Sequence, residues 1–391
     1  MELKTRSSFV WKDNCCAETL NNIVIDHGSF NLRYGFCGSD IPQFIVPSVL
    51  GRPKLSYEYK AHEEYYCGNE AFDNNKTHFL SFPINDCKIE NWDDMEDIWL
   101  HMFTTDLNVK SSDSPTLITD GNNLEDRKNS RMKTTEIMFE TFELPALFIE
   151  NEAVLSLYAV GRTHGLVISS GYNSTRFYPV YNGINIVKKS RKLKLGGKHV
   201  TNFLRQTISF SDNTFKNALE ERLIVNMLKE SLCYAVKTTT QAEVEKKIKK
   251  EIYDLPDGNI IEVGDERFFA VEGLLNPKLL GRNISGIQDE LIKCLEDVDK
   301  EVRNDLCNNI LLEGGNTLFP FFPERLLYEL ISNHENKFNK IRIIATEDRK
   351  NYSWLGGSII SALNTFDEFT IKKEEYFENG CERSVLEKFN N

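Results

Sequence analysis

Ile23-Val24-Ile25-Asp26-His27-Gly28-Ser29 runs from an apolar segment into a polar, glycine-bearing bend, and Leu166-Val167-Ile168-Ser169-Ser170-Gly171-Tyr172 does the same further along the chain. A strand that runs into glycine turns successive backbone N–H groups toward one point and makes an anion-binding concavity. Two such bends facing each other would clamp a polyphosphate. Asp26 in the first bend is placed to hold a hydrated divalent cation, whereas the matching place in the second is Ser169. The pair reads as a nucleotide clamp with one altered jaw.

Two further glycine elements follow. In Ile310-Leu311-Leu312-Glu313-Gly314-Gly315-Asn316-Thr317 an apolar strand breaks at paired glycines, and Ser353-Trp354-Leu355-Gly356-Gly357-Ser358 reads as the same device before a final helix. Earlier in the chain, Asn91 caps a helix whose first turn is acidic and whose Met95, Ile98, Trp99 and Met102 keep the helical period. Glu152 to Val160 reads as a short helix with Val154, Leu155 and Tyr158 on one side, and Glu221 to Val236 as a longer one. Leu255-Pro256-Asp257-Gly258 turns between two strand-like runs. The order predicts an α/β protein with two related lobes around a central cleft.

At 391 residues the chain is too long for one ordinary core. A formal charge of −12 disfavours direct nucleic-acid binding, because phosphate backbones reward a basic face. No apolar run is long enough for a membrane span. The nine cysteines form no CxxC pair and no zinc-finger spacing, which reads as a reducing compartment. Met1 to Leu20 lacks a secretory core, reads as a flexible extension and leaves cytoplasm or nucleus as the expected location. The basic run Lys188-Lys189-Ser190-Arg191-Lys192-Leu193-Lys194 and the run Lys246 to Lys250 are read as solvated faces. Cys15-Cys16 has no nearby third ligand, and His27 is read as a polar turn residue rather than a base.

From about residue 21 onward the chain resembles actin and the actin-related proteins. The residues that carry the resemblance include Pro47-Ser48, Gly51-Arg52-Pro53, Asn91-Trp92-Asp93-Asp94-Met95-Glu96, Ala153-Val154-Leu155-Ser156-Leu157-Tyr158, Gly161-Arg162-Thr163, Tyr253-Asp254-Leu255-Pro256-Asp257-Gly258, Gly314-Gly315-Asn316-Thr317 and Trp354-Leu355-Gly356-Gly357-Ser358. The resemblance implies the four-subdomain actin fold, with ATP or ADP and Mg2+ or Ca2+ between the lobes, and self-assembly. It divides the chain into residues 1–20 as an extension, 21–159 with 352–391 as the first lobe, and 160–351 as the second.

Residue by residue, the implied nucleotide contacts are Gly28, Ser29, Phe30, Arg33, Ser170, Gly171, Tyr172, Lys229, Glu230, Gly314, Gly315, Thr317, Leu318 and Lys350. Several depart from the family. Phe30 replaces a glycine, Arg33 replaces a phosphate-contacting lysine, and Ser169, Tyr172 and Asn173 stand where the family has Asp, Asp and Gly. Glu152 replaces the glutamine that positions the attacking water, and Arg176 the histidine that assists it. By carboxylate count, Asp26 and Glu152 are expected to support the metal through water, with hydrolysis weakened because both water-orienting side chains have changed.

The loop between Pro53 and Tyr66 is two residues shorter than in actin and carries a charged tip in place of aliphatic contacts. Losing a buried aliphatic side chain costs roughly 1.5–3 kcal/mol, so assembly alone is expected to be weak. The histidine that follows Pro-Ile-Glu in actin is Asp86 here. The expectation is a divergent cytoskeletal actin-like protein acting as a filament or complex subunit, with actin-family subunits or actin-binding proteins as partners. The alternatives are a nuclear actin-related subunit of a chromatin-remodelling complex and an active ATPase or kinase of the same superfold.

Overall fold

The computed structural model describes residues 21–54, 65–121, 127–208, 215, 217–238, 250–255, 258, 260–334 and 340–389. The N-terminal extension with Cys15-Cys16, the tip of the shortened loop, Lys246 to Lys249 and Pro256-Asp257 lie outside the described residues.

Two sheets organise the chain. The first has six strands in the order Ile371–Lys372, Ala146–Asn151, Thr116–Asp120, Ile23–His27, Asn31–Phe36, Phe44–Pro47. The second runs Ile184–Asn185, Thr175–Tyr181, Gly165–Ser170, Ile310–Glu313, Ile343–Ile344, with Arg191–Leu193 paired onto Thr175–Tyr181. Each contains the same unit. An antiparallel hairpin, Ile23–His27 with Asn31–Phe36 or Gly165–Ser170 with Thr175–Tyr181, lies parallel to a third strand, Thr116–Asp120 or Ile310–Glu313. This repeated unit places the two glycine bends at corresponding ends of the two sheets.

The strands are nearly continuous apolar runs because helices cover them. Ile23, Val24 and Ile25 in one sheet and Leu166, Val167 and Ile168 in the other are fully buried. Between the sheets sits a third cluster that includes Ala153, Val154, Leu157, Val167, Tyr178, Leu311, Tyr352 and Leu355. The helix Glu152–Ala159 runs through this cluster and is buried from Glu152 to Leu157. Asn151 caps it, accepting from the Ala153 N–H at 3.1 Å. Asn91 likewise caps Trp92–His101, accepting from the Asp94 N–H at 3.2 Å.

Two elements differ from their sequence reading. The helix expected over Glu221 to Val236 spans Ala218–Leu232, because Asn217 accepts from Leu219 and Glu220 N–H groups at 3.0 and 2.9 Å and fixes an earlier start. The segment Ser353 to Ser358 is no bend. It lies inside the helix Tyr352–Ser361, where its glycines serve packing. A Cβ on Gly356 would stand 1.8 Å from the Leu155 carbonyl oxygen, and one on Gly357 would stand 2.7 Å from Val24 Cγ1. The sequence therefore holds three cleft-facing glycine bends and one helix-crossing pair.

Gly356→Ala is expected to destabilise the protein by about 3 kcal/mol, since the nearest obstacle is backbone and cannot rotate away. Chemical denaturation measures this directly, and a loss below about 1 kcal/mol would mean that the helix crossing is loose.

Candidate functional site

The ends of the two sheets enclose a cavity of about 260 Å³. The first bend contributes Asp26, Gly28, Ser29, Phe30 and Arg33, the second Ser169, Gly171, Tyr172 and Asn173, and the third Glu313, Gly314 and Gly315. Lys229, Glu230, Leu318, Phe319 and Lys350 complete the far end, with Glu152 and Arg176 at the centre.

Ser170 and Thr317, both expected to contact a ligand, are fully buried behind this lining. The Ser170 hydroxyl lies 2.8 Å from that of Thr175 and accepts from Asn316 Nδ2 at 3.1 Å, while the Thr317 hydroxyl donates to the Gly314 carbonyl at 2.7 Å. They hold the bends in shape. Gly314, at φ +89°, is stacked so closely on the second bend that a Cβ would stand 2.5 Å from the Ser170 carbonyl oxygen. Asn316 ties the same two bends by donating to the Gly171 carbonyl at 2.7 Å.

The centre of the cavity is dense with charge. Asp26 has both oxygens engaged: Oδ1 accepts from the Thr119 hydroxyl at 2.8 Å and Oδ2 from Arg33 at 2.9 Å. Arg33 is pinned at its other side by donating through Nε to Asn351 Oδ1 at 3.0 Å. Arg176 is 3% exposed. It donates to Cys87 Sγ at 2.6 Å and to Asp86 Oδ1 at 3.2 Å, and stands 4.0 Å from Glu152. Burial opposes its charge, and Cys87, Tyr178, Glu152 and Asp86 together outweigh that effect. Burial also raises the Glu152 carboxyl against the pull of Arg176. Burial and the neighbouring Glu152 keep Glu313 well above the usual carboxylate range. Glu152 Oε1, Glu313 Oε2 and Arg176 Nε are buried without a hydrogen-bond partner.

The far end is milder. Lys229 donates to Asn226 Oδ1 at 2.6 Å, and burial lowers it to about 8 despite the adjacent Glu230. His27 accepts from the Trp99 indole N–H at 3.0 Å, and burial holds it down at about 4, so it is a neutral acceptor in the core rather than a base.

Three contacts cross the mouth of the cleft. Phe30 packs on Tyr172 with ring centroids 4.8 Å apart, and the Tyr172 hydroxyl accepts from Arg222 Nε at 2.7 Å. Asn173 donates to Asn85 at 3.1 Å. Asp86 accepts from Ser174 at 2.6 Å and pairs with both Arg176 and Lys192. Burial would raise the Asp86 carboxyl, and these partners hold it below its ordinary value instead. Lys192 and Arg191, which also pairs with Glu290 and Asp297, are thus tethered members of a run read from sequence as a solvated face.

Cys87, Asn226, Glu313 and Ser353 also line the cavity and were not singled out from the sequence. Glu313 carried a signal, an acid ending an apolar strand beside paired glycines. Cys87 carried none: it and Asp86 occupy consecutive left-handed positions, φ +58° and +55°, without glycine.

Against known families, the model described as Actin matches residues 17–390. The match spans both sheets, all three bends and the helix crossing.

Asp86→Ala removes the carboxylate shared by Arg176, Lys192 and Ser174 and is expected to destabilise the protein by about 3 kcal/mol, because the Arg176 charge stays buried. Thermal and chemical unfolding measure it; an unchanged stability would mean that Asp86 is not the anchor of the crossing.

Proposed function

Because the chain belongs to the actin family, we propose that its cleft holds ATP or ADP and that it serves as an actin-like assembly subunit with weakened hydrolysis. The observation that carries this reading is the state of the two positions expected to orient the attacking water. Arg176 is spent on Asp86 and Cys87, and Glu152 faces that guanidinium at 4.0 Å. A side chain locked in a buried ion-pair network is a poor general base or water-positioner.

The remaining residues suit a nucleotide. In this reading Lys229, Glu230, Gly314, Gly315, Leu318 and Lys350 face the nucleoside, and Gly28, Ser29, Arg33 and Gly171 face the phosphates. Phe30 and Tyr172 close over the phosphate end, and Ser170 and Thr317 support the bends. The two lobes are assigned to 21–159 with 352–391 and to 160–351. The family generally holds its nucleotide with a divalent cation; the acids at the centre of this cleft suit one poorly, since Asp26 already accepts from Thr119 and Arg33 and Glu152 faces Arg176.

A cytoskeletal role within a complex of actin-family subunits or actin-binding proteins fits this reading better than solitary filament growth. Support comes from the charged replacement in the loop after Pro53. No helix among the described residues is long and apolar enough to cross a membrane.

Turnover of ATP by the purified chain, compared with conventional actin under polymerising conditions, tests the proposal. The expected rate is about 100-fold lower, the scale of a lost general base. The double variant Glu152→Gln, Arg176→His is expected to recover at least about tenfold of it. An actin-like rate in the unmodified chain would overturn the assignment.

A further inference from the structure

We infer that this cleft supplies its own cations to the phosphates: Arg33 and Arg176 stand in for a divalent ion, so a nucleoside di- or triphosphate binds without one. The inference rests on reading the cleft as a nucleotide site.

A divalent ion among phosphates needs free, anionic oxygens from the protein and tolerates little positive charge beside it. This cavity offers the reverse. Both Asp26 oxygens already accept a hydrogen bond, from Thr119 and Arg33 at 2.8 and 2.9 Å. Burial and its neighbour Glu152 push the Glu313 carboxyl well above the usual carboxylate range. Glu152 Oε1 is a free acceptor, and the guanidinium of Arg176 stands 4.0 Å away from it.

Two acids, Asp26 and Glu152, face two guanidinium groups, Arg33 and Arg176, and all four line the same cavity. A metal at these acids would press against two guanidinium groups held in place. A phosphate meets a different environment. Guanidinium groups match phosphate oxygens in charge and in fork geometry. Arg176 also keeps Nε buried without a hydrogen-bond partner. Both arginines are held in place before any ligand arrives, Arg33 by Asp26 and Asn351, Arg176 by Asp86 and Cys87.

The test is a titration of the nucleotide-stripped full chain with N-methylanthraniloyl-ADP and -ATP, once in millimolar magnesium and once in EDTA. The expected dissociation constants agree within about twofold. A loss of affinity of about tenfold or more in EDTA would overturn the inference while leaving the nucleotide reading intact. Absence of binding in both buffers would overturn the nucleotide reading, and this inference with it. Arg176→His, which uncovers the Glu152 carboxylate, is expected to make binding depend on magnesium by about tenfold; continued independence in a folded variant would contradict the proposed role of Arg176. Arg33→Ala is expected to weaken binding in EDTA by about tenfold, the scale of a charge-assisted hydrogen bond, with Arg33→Lys restoring most of it. If both Arg33 variants bind like the parent, Arg33 does not contact the phosphates and the inference fails.

Discussion

The close crossing of two helices at Gly356 fixes everything else. With its Cα almost against the Leu155 carbonyl, the helix Tyr352–Ser361 is pressed onto Glu152–Ala159, and Gly357 lets the same helix lie on Val24 and Leu117 of the first sheet. Val154, Leu157, Tyr352 and Leu355 then fill the space to the second sheet through Val167, Tyr178 and Leu311. This shared wall sets the distance between the two sheets, and so the width of the cleft at their ends. A side chain at Gly356 would act on the cleft without touching it.

On that frame the bends carry a distinct chemistry. Gly314 packs under Ser170, and Asn316 ties the second bend to the third. The side chains at the centre form an alternating pattern of guanidinium and carboxyl groups. Asp26 is paired with Arg33 there, Glu152 faces Arg176, and each arginine is fixed by neighbours. Asp86 extends the pattern across the mouth, where it gathers Arg176, Lys192 and Ser174. Phe30 and Tyr172, both large where small residues would leave the entrance open, meet over it.

Much of this was legible in the sequence because it rests on local rules. Strand runs ending in glycine, the Asn91 cap and the repeated bend all follow from short-range backbone chemistry, and the structure places them together. The cleft residues came from the pattern of bends joined to the family resemblance. What could not be read depended on partners distant in the chain. Gly356-Gly357 looks like a bend until the Leu155 backbone is known to lie against it. Arg176 and Asp86 are 90 positions apart, and nothing in either neighbourhood announces their contact. The contacts of Asp26 with Arg33 and of Glu152 with Arg176 were likewise outside what a carboxylate count from sequence could include. Ser170 and Thr317 sit beside cleft residues, and only the fold shows their hydroxyls turned away.

The most direct measurement is a crystal structure of the protein with ADP and Mn2+, using the anomalous signal of manganese to locate the ion independently of the nucleotide. The expected result is nucleotide density in the cleft, phosphate oxygens within hydrogen-bond distance of Arg33 and Arg176, and no anomalous peak between Asp26 and Glu152. A strong peak there, with Arg33 displaced from Asp26, would contradict the conclusion that arginines have taken over the work of the metal.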